Sequence, residues 1–275
     1  MEQFILQNDV ILRISAFIFI LSLMVLIEHL TPRRGVLNNW NRRFNNLALV
    51  GIDVLFVRIL LPVAVVGMSE ICNASNWGIL NRHEVVTWLA IIMSLLIMDF
   101  AVYCQHVLFH HLGWLWKIHK VHHTDMTFDV TTAIRFHPFE ILLSTLYKML
   151  VVIILGPPVI AVIIFEIILS GSAMFNHGNI NIPVRIDRWL RYIIVTPDMH
   201  RVHHSIDRKE TDTNYGFFIP WWDRLFRTYC DQPGAGHDKM TIGLNEFRDS
   251  RSIWLPWLLL QPFLTPENKL KENSS

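Results

Sequence analysis

The chain has 275 residues, of which 52% are hydrophobic and 17% are charged, and its formal net charge is +1. Soluble domains carry about 25% charged residues, so this composition favours a membrane protein. The near-neutral charge excludes the global basic field of a nucleic-acid-binding protein. Three scattered cysteines are too few for a disulfide framework or a zinc ribbon.

Residues 10–29 form the first apolar stretch, whose length is close to the roughly 20 residues that cross a bilayer as a helix. A cleaved signal peptide is the alternative interpretation. Residues 1–9 are acidic rather than basic and no small-residue cleavage site follows, so a retained helix is favoured. A second span is predicted at about 47–68, where Asp53 and Arg58 should face other helices because charges are costly in lipid.

Two further apolar regions follow along the chain. A third span is predicted at about 85–104. The region 141–175 is too long for one helix, and Gly156-Pro157-Pro158 interrupts it. It is therefore predicted to be a hairpin of two helices, the first of them short, in which Lys148 snorkels or lines a cavity.

Residues 251–264 are apolar but short and contain two prolines, which favours an interfacial segment over a span, and residues 267–275 are predicted to be a solvated tail. The predicted fold class is all-α, a polytopic membrane helix bundle of about four to five spans with a cytoplasmic histidine-rich helical cap. The predicted divisions are N-terminal helices and loops at 1–84, a catalytic region at 85–250 that includes the hairpin, and the interfacial segment and tail at 251–275.

The distribution of basic residues predicts the orientation, because cytoplasmic loops carry an excess of Lys and Arg. The loop at 69–84 has only Arg82. Basic residues instead follow the first span, the third span and the hairpin: Arg33, Arg34, Arg42, Arg43; Lys117, Lys120; Arg185, Arg188 and Arg191. This pattern places the N-terminus outside, and the histidine-rich segments and the C-terminus on the cytoplasmic side.

Eight histidines fall into three clusters that have the spacing of metal ligands. On a helix, positions i, i+3 and i+4 share one face, so each cluster is expected to aim two or three imidazoles at one point. Imidazole suits iron, zinc, copper and nickel, and eight such ligands are too many for one ion. The sequence therefore predicts a site for two metal ions, built from His106 and His110; His119, His122 and His123; and His200, His203 and His204.

The third span carries a polar stripe that leads to the first cluster. Asp99, Tyr103, His106 and His110 are spaced i, i+4, i+7 and i+11, which places them on one side of a helix. A ligating histidine usually donates its other ring N–H to a carboxylate or a carbonyl. Asp99 is therefore predicted to orient a ligating histidine, and Tyr103 to support it.

Other histidines and one aromatic segment have simpler interpretations. His29 and His83 are expected to be interfacial anchors, and His111 is expected to be a bystander because it leaves the face of its cluster. The segment Trp114-Leu115-Trp116 is interpreted as part of an interfacial aromatic belt.

Two other classes of function also use histidine-bound metal. A zinc hydrolase needs three protein ligands and commonly a glutamate base, as in His-Glu-x-x-His. No glutamate stands inside the clusters, and the histidines are too many for one zinc ion. A metal transporter would place its site near the bilayer midplane, whereas these clusters lie beyond the ends of spans.

The order and flanks of the three clusters resemble the fatty acid hydroxylase and sterol desaturase superfamily of membrane di-iron enzymes. The resemblance covers roughly residues 95–230. It rests on five segments: Asp99–His106, Trp116–His123, Thr196–His204, Asn214–Gly216 and Trp222–Tyr229.

The resemblance implies that the eight clustered histidines are ligands and that His177, in the segment Phe175–Asn179, is a ninth. Some family members show His-x-x-x-His there, and the earlier position is Ala173 in this chain, so one ligand is absent or replaced by water. His137 is expected either to support a ligand or to be structural. Asn214 and Asp223 are expected either to orient the third-cluster histidines or to serve as turn residues.

The resemblance also implies the chemistry. Two Fe(II) ions would activate dioxygen to hydroxylate or desaturate a lipid taken from the bilayer, and the apolar hairpin would form a wall of the lipid entry. No segment outside the spans is long enough for a fused cytochrome b5 domain. Electrons are therefore expected from a separate ferredoxin or a cytochrome b5-type protein.

Overall fold

The computed structural model describes residues 2–35, 39–83 and 85–264. Regular structure in these ranges is helical, and the two β-bridges are isolated. Three short 3₁₀ helices cover Val130–Ile134, Ser250–Ile253 and Gln261–Phe263. The α-helices of the described residues are, in chain order, α1 (Glu2–Gln7), α2 (Asp9–Leu30), α3 (Trp40–Leu60), α4 (Val65–Ala74), α5 (Ile79–Arg82), α6 (Thr87–His111), α7 (Gly113–His123), α8 (Pro138–Leu155), α9 (Val159–Asn176), α10 (Val184–Leu190), α11 (Pro197–His203), α12 (Arg208–Thr211), α13 (Trp221–Leu225) and α14 (Leu255–Leu260).

Five apolar helical segments in the described part of the chain are long enough to cross a membrane. They are α2, the run Trp40–Arg82 that contains α3 to α5, and the helices α6, α8 and α9. Their number and type confirm the predicted all-α, polytopic helix bundle. The predicted cytoplasmic orientation of its histidine-bearing end stays a prediction.

The second predicted span was placed too late in the chain. Helix α3 begins at Trp40, where the Asn39 side chain accepts a hydrogen bond from the Arg42 backbone N–H. It ends at Leu60 rather than continuing to residue 68, because the residue before a proline is pushed out of the helical conformation. Leu61, which precedes Pro62, is extended accordingly.

The third predicted span was too short. Helix α6 runs past residue 104 to His111, so it carries its histidines on the same rigid helix that crosses the bundle.

The predicted hairpin breaks where the prolines stand. Gly156 closes α8 with a φ of +64°, and a Cβ there would lie 2.4 Å from the Trp77 carbonyl oxygen. The two arms are equally long, with 18 residues each, so the expectation of a short first arm was wrong. Pro138 at the start of α8 explains the difference, because its fixed φ suits the first turn of a helix.

Arg42, one of the basic residues behind the predicted orientation, is buried rather than displayed on a loop. Its guanidinium lies 2.8 Å from Asp125 and 2.9 Å from Asp129. Paired and hydrogen-bonded charges of this kind can be buried, whereas lone ones cannot. The ion pairs tie α3 to the loop that follows α7, and so they help to hold the end of α7 in place.

The segment at 250–263 packs against the bundle. Leu258 is fully buried and contacts Leu49 of α3 and Val121 of α7. Trp254 and Phe263 are exposed on its outer side. The predicted solvated tail at 267–275 lies outside the described residues.

Candidate metal centre

Nine buried histidines meet at the end of the bundle where α6 ends and α9 ends. They form two groups, and within each group one ligand atom per residue lies within 4.8 Å of all the others. The five-histidine group consists of His106, His110, His119, His123 and His203, and the four-histidine group consists of His122, His177, His200 and His204.

The helices split the sequence clusters between these groups. In α7, His119 and His123 are four residues apart and join the five-histidine group, whereas His122 joins the other. In the third cluster, His200 and His204 are four residues apart and join the four-histidine group, whereas His203 joins the five-histidine group. The expectation that each cluster aims at one point was therefore wrong for these two clusters, because one turn of a helix also presents the neighbouring face.

Hydrogen bonds fix the rings of the five-histidine group. The Nδ1 atoms of His106 and His203 lie 2.7 Å from the carbonyl oxygens of Tyr215 and Thr213, respectively. A carbonyl oxygen can only accept, so Nδ1 carries the proton and Nε2 keeps its lone pair. The Nε2 atoms of both rings are buried and have no hydrogen-bond partner among the described residues.

Carboxylates hold two more rings of this group. Glu140 Oε1 lies 2.6 Å from His119 Nδ1, and Asp212 Oδ1 lies 3.2 Å from His110 Nδ1. A carboxylate behind a ligating imidazole fixes its tautomer and raises its basicity. Glu140 is buried, whereas Asp212 is partly exposed and also paired with Arg208 at 2.7 Å.

The four-histidine group is centred on His177, the residue that follows the last turn of α9. Its Nε2 atom lies 3.1 Å from Nε2 of His122 and 3.2 Å from those of His200 and His204. Its Nδ1 lies 2.8 Å from the carbonyl oxygen of Ala173, so Nδ1 donates and Nε2 is left as a lone pair.

Aromatic packing, rather than hydrogen bonding, surrounds the rest of this group. The ring of Phe136 stacks on His122 at 4.6 Å, and that of Phe128 stacks on His177 at 5.5 Å. The Nδ1 atoms of His122, His200 and His204 are buried and have no partner among the described residues.

Burial keeps these rings neutral. Loss of hydration lowers the pKa of His119 and of His177 to about 3. It also lowers the pKa of His203 and His204 well below the usual histidine value, with neighbouring imidazoles adding to the effect. A metal ligand must be the neutral imidazole.

The donor set fits metal ions. Metal–imidazole bonds of about 2 Å place neighbouring nitrogen donors of one ion about 3 Å apart, and the spacing around His177 matches this. The lone pair on His177 Nε2 can accept a hydrogen bond from one neighbouring ring at a time, whereas a cation between the four Nε2 atoms would be bound by all of them. Each group therefore has the composition and the spacing of a site for one ion.

Asp99 and Tyr103 lie away from the clustered histidine rings. The Asp99 carboxylate accepts from the Trp222 indole N–H at 2.8 Å and from the Ile219 backbone N–H at 3.3 Å, so its predicted bond to a histidine is not formed. Asp99 lies almost two helical turns before His106 on α6. At that position it faces the segment that follows α12 rather than the histidine rings. The Tyr103 hydroxyl bonds to Thr228 at 3.0 Å and likewise supports that segment.

Asn214 and Asp223 act on the segment 212–216, which supplies acceptors for three rings of the five-histidine group. Asp223 accepts from the backbone N–H groups of Tyr215 and Gly216 at 2.8 and 2.9 Å. Burial raises the pKa of Asp223 to about 6 in spite of these bonds.

Asn214 has a φ of +53°, a conformation that asparagine tolerates. Its amide donates to the carbonyls of Met199 and Cys230 at 2.9 and 2.8 Å. Of the three rings held by this segment, only that of His203 belongs to the third cluster. The other two are His106 and His110, so the expected target was only partly correct.

His137 contacts no clustered histidine. Its Nδ1 accepts from the Phe139 backbone N–H at 3.2 Å and caps α8, and its Nε2 lies 3.1 Å from the Leu259 carbonyl oxygen. The structural alternative is the one that the geometry supports. His137 still places the first turn of α8, and with it Glu140.

Sequence reasoning missed Glu140 and Asp212 as hydrogen-bond partners of the clustered histidine rings. Glu140 stands in the first turn of α8, three residues after His137, and an acidic residue at the head of an apolar helix was the available signal. Asp212 gave no such signal, because it lies in a polar loop. Trp116, which was interpreted as a belt residue, packs against His110 at 5.0 Å and His123 at 5.4 Å.

Residues 91–228 match the family model described as fatty acid hydroxylase. The chain belongs to the fatty acid hydroxylase family. This match confirms the resemblance drawn from the three clusters, since it encloses every predicted ligand.

Several proteins that are similar to this chain have names that describe an action on lipids. An ornithine lipid hydroxylase of Rhizobium tropici is 29% identical over 143 residues, which are 52% of this chain and 42% of that protein. An alkylglycerol monooxygenase of Danio rerio is 30% identical over 177 residues, or 62% of this chain and 36% of the relative. A very-long-chain aldehyde decarbonylase of Oryza sativa is 30% identical over 145 residues, which are 47% of this chain and 22% of that protein.

The chain thus spans less than half the length of these relatives. No solved structure matches it. Family membership and five apolar helices together indicate an integral membrane protein of an oxidoreductase family.

Proposed function

We propose that the nine histidines bind two iron ions, one in each group, and that the protein uses dioxygen to hydroxylate or desaturate a lipid. The observation that carries the proposal is the division of the nine buried histidines into two groups whose ligand atoms lie within 4.8 Å of one another. The lipid-acting names of the relatives support the substrate class.

Two sets of residues would build the metal site, one that binds the ions and one that orients the imidazole rings. The nine imidazoles would hold the ions through their unprotonated nitrogens, and Glu140, Asp212 and the segment 212–216 would hold the rings. When bound, two iron ions would supply the oxygen-activating redox chemistry needed to remove a hydrogen atom from an unactivated C–H bond, with electrons delivered by a separate donor.

A cavity of about 230 Å³ adjoins the five-histidine group and gives the substrate a place. His106 and His119 form one end of it, and its other walls include the apolar side chains of Phe109, Phe136 and Phe217. Such walls exclude water and position an alkyl chain against the ions.

Electrons would come from a separate ferredoxin or cytochrome b5-type protein. Either donor would deliver electrons from the cytoplasmic side of the membrane. The proposal therefore requires the histidine-bearing end and the C-terminus to be cytoplasmic. A cysteine-accessibility assay on intact cells, with single cysteines at Lys117 and Glu70, tests this orientation.

A zinc hydrolase is the second candidate, and one observation favours it. Glu140 Oε2 is buried without a partner among the described residues and Glu140 lines the cavity, where a base would stand. The nine ligands weigh against it, since a catalytic zinc site uses three. A metal transporter would need the ions near the middle of the bundle, whereas the histidines lie at its end.

The metal content of the purified protein and its oxygen uptake with a reductant test these proposals. Two irons per chain and oxygen uptake that depends on an added lipid extract support the oxygenase. One zinc ion without oxygen uptake would favour the hydrolase.

A further inference from the structure

A second cavity adjoins the first and extends away from the histidines. It has a volume of about 380 Å³ and lies between α3 and α8, with Asp53 and Thr145 in its walls. Both cavities are lined by Lys148 and Glu166. They also share Ala133, Phe136 and Ile141, so the two charged side chains stand where the two cavities adjoin.

Lys148 and Glu166 form an ion pair between the two arms of the hairpin. Lys148 Nζ lies 2.7 Å from Glu166 Oε1, and the two side chains are 14% and 19% exposed. Each residue stands ten positions from the histidine-bearing end of its helix, a distance of about 15 Å along the axis. Ionisable groups at such a depth are costly and mark binding sites or pathways.

Besides Arg13 and Arg58, the second cavity is lined by Asp53. Its side chain is buried, and its Oδ1 atom has no hydrogen-bond donor among the residues that the structure describes. A buried carboxylate oxygen that lacks a donor loses its hydration without compensation. Asp53 therefore points to a ligand that brings a donor of its own.

We propose that this junction binds the polar end of an amphiphilic lipid that carries a hydroxyl group. A hydroxyl can donate to the carboxylate of Glu166 and accept from Lys148. A hydrocarbon offers neither bond, and an ether offers only an acceptor.

The alkyl body of this lipid then lies in the first cavity, beside His106 and His119. Glu140, which holds His119, and Lys148 are eight residues apart on α8, or about 12 Å along the helix. The hydroxyl is thus held remote from the carbon nearest the five-histidine group. The statement about which carbon of the lipid reacts rests on the proposed function. The binding of the hydroxyl group does not depend on the proposed function.

Three probes of equal chain length test the binding site: 1-octadecanol, 1-methoxyoctadecane and octadecane. They compete with radiolabelled 1-octadecanol for the purified, metal-bound protein in nanodiscs, under nitrogen so that no turnover occurs. We expect 1-octadecanol to bind about tenfold tighter than octadecane, the effect of one charge-assisted hydrogen bond, with the ether between them. Equal affinities for the three probes overturn the proposal.

The double variant Lys148→Met/Glu166→Leu locates the site. It removes both charges together, so no lone charge is left buried, and we expect it to lose most of the preference for the alcohol. Lys117→Met, an exposed lysine outside both cavities, is the matched control. Asp53→Asn, in which the amide nitrogen replaces one acceptor, is expected to weaken the preference less. Undiminished preference in the double variant contradicts the site.

The swapped variant Lys148→Glu/Glu166→Lys restores the pair in reverse and is expected to recover part of the preference. Iron analysis of each variant separates this proposal from the proposed function. Normal alcohol preference in a protein that binds no iron would refute only the proposed function. Oxidation of 1-octadecanol next to its hydroxyl, with iron bound, would refute the placement of the lipid.

Discussion

The two histidine groups are held by different means. In the five-histidine group, four rings have Nδ1 bonded to a carbonyl or a carboxylate, and each bond sets the tautomer that leaves Nε2 free. Among the described residues of the four-histidine group, His177 alone has such a bond, and phenylalanine rings pack on His122 and His177 instead. Protein hydrogen bonds thus orient four rings of the five-histidine group, and we expect the other group to depend more on a bound ion for the alignment of its rings.

The largest expected effect comes from removing a ligand. His203→Ala should reduce activity to background and bound iron by about one ion per chain, because it deletes a ring and exposes its partner, the Thr213 carbonyl. Activity with reductant and iron per chain are the measurements. His29→Ala and His83→Ala, at exposed histidines, are the controls. Full activity in His203→Ala would exclude the third cluster from the site.

Glu140→Gln tests the hydrogen-bonded character of the five-histidine group. The amide keeps the shape but not the charge behind His119, so iron affinity or activity should fall about 10- to 100-fold. A chelator competition assay measures the affinity, and Glu70→Gln, at an exposed position, is the control. Iron affinity equal to that of the wild type would mean that the carboxylate does not tune the ion.

Asp223→Asn should destabilise the fold around the five-histidine group. The carboxylate accepts from two backbone N–H groups and from Thr228 at 2.8 Å, and an amide can satisfy only part of this set. A buried donor left without a partner costs about 1–3 kcal/mol. Thermal unfolding of the iron-loaded protein measures the change, and an unaltered midpoint would contradict the role given to Asp223.

The smallest effect is expected in the four-histidine group. Phe136→Leu removes the ring that stacks on His122 but leaves the cavity apolar, and aromatic pairs contribute about 0.5–1.5 kcal/mol. Iron affinity should therefore fall about two- to tenfold. A loss as large as that of Glu140→Gln would show that packing orients this group as strongly as hydrogen bonds orient the other.

The sequence predicted which histidines converge better than it predicted their hydrogen-bond partners. Spacings of three and four residues identified eight histidines, and the resemblance added His177, because a helix converts such spacings into a shared direction. The division of the second and third clusters between the two groups was missed, since the pattern does not say where neighbouring helices lie. Asp99 was chosen over Glu140 for the same reason: spacing along α6 is visible in the sequence, but contact between α7 and α8 is not.

The fold was predictable where local chemistry decides it. The prolines after Gly156 fixed the break in the hairpin, and the apolar lengths fixed the number of spans. The start of α3 was misplaced because its first turns are polar, and their burial depends on the ion pairs of Arg42 with Asp125 and Asp129. Such pairs join residues more than 80 positions apart and leave no periodic signal.

Anomalous diffraction at the iron edge, from crystals of the protein purified with its metal, tests the central claim most directly. We predict two iron peaks per chain, one surrounded by the Nε2 atoms of the five-histidine group and the other next to Nε2 of His177. A single peak, or a peak remote from either set of nitrogens, would contradict the account.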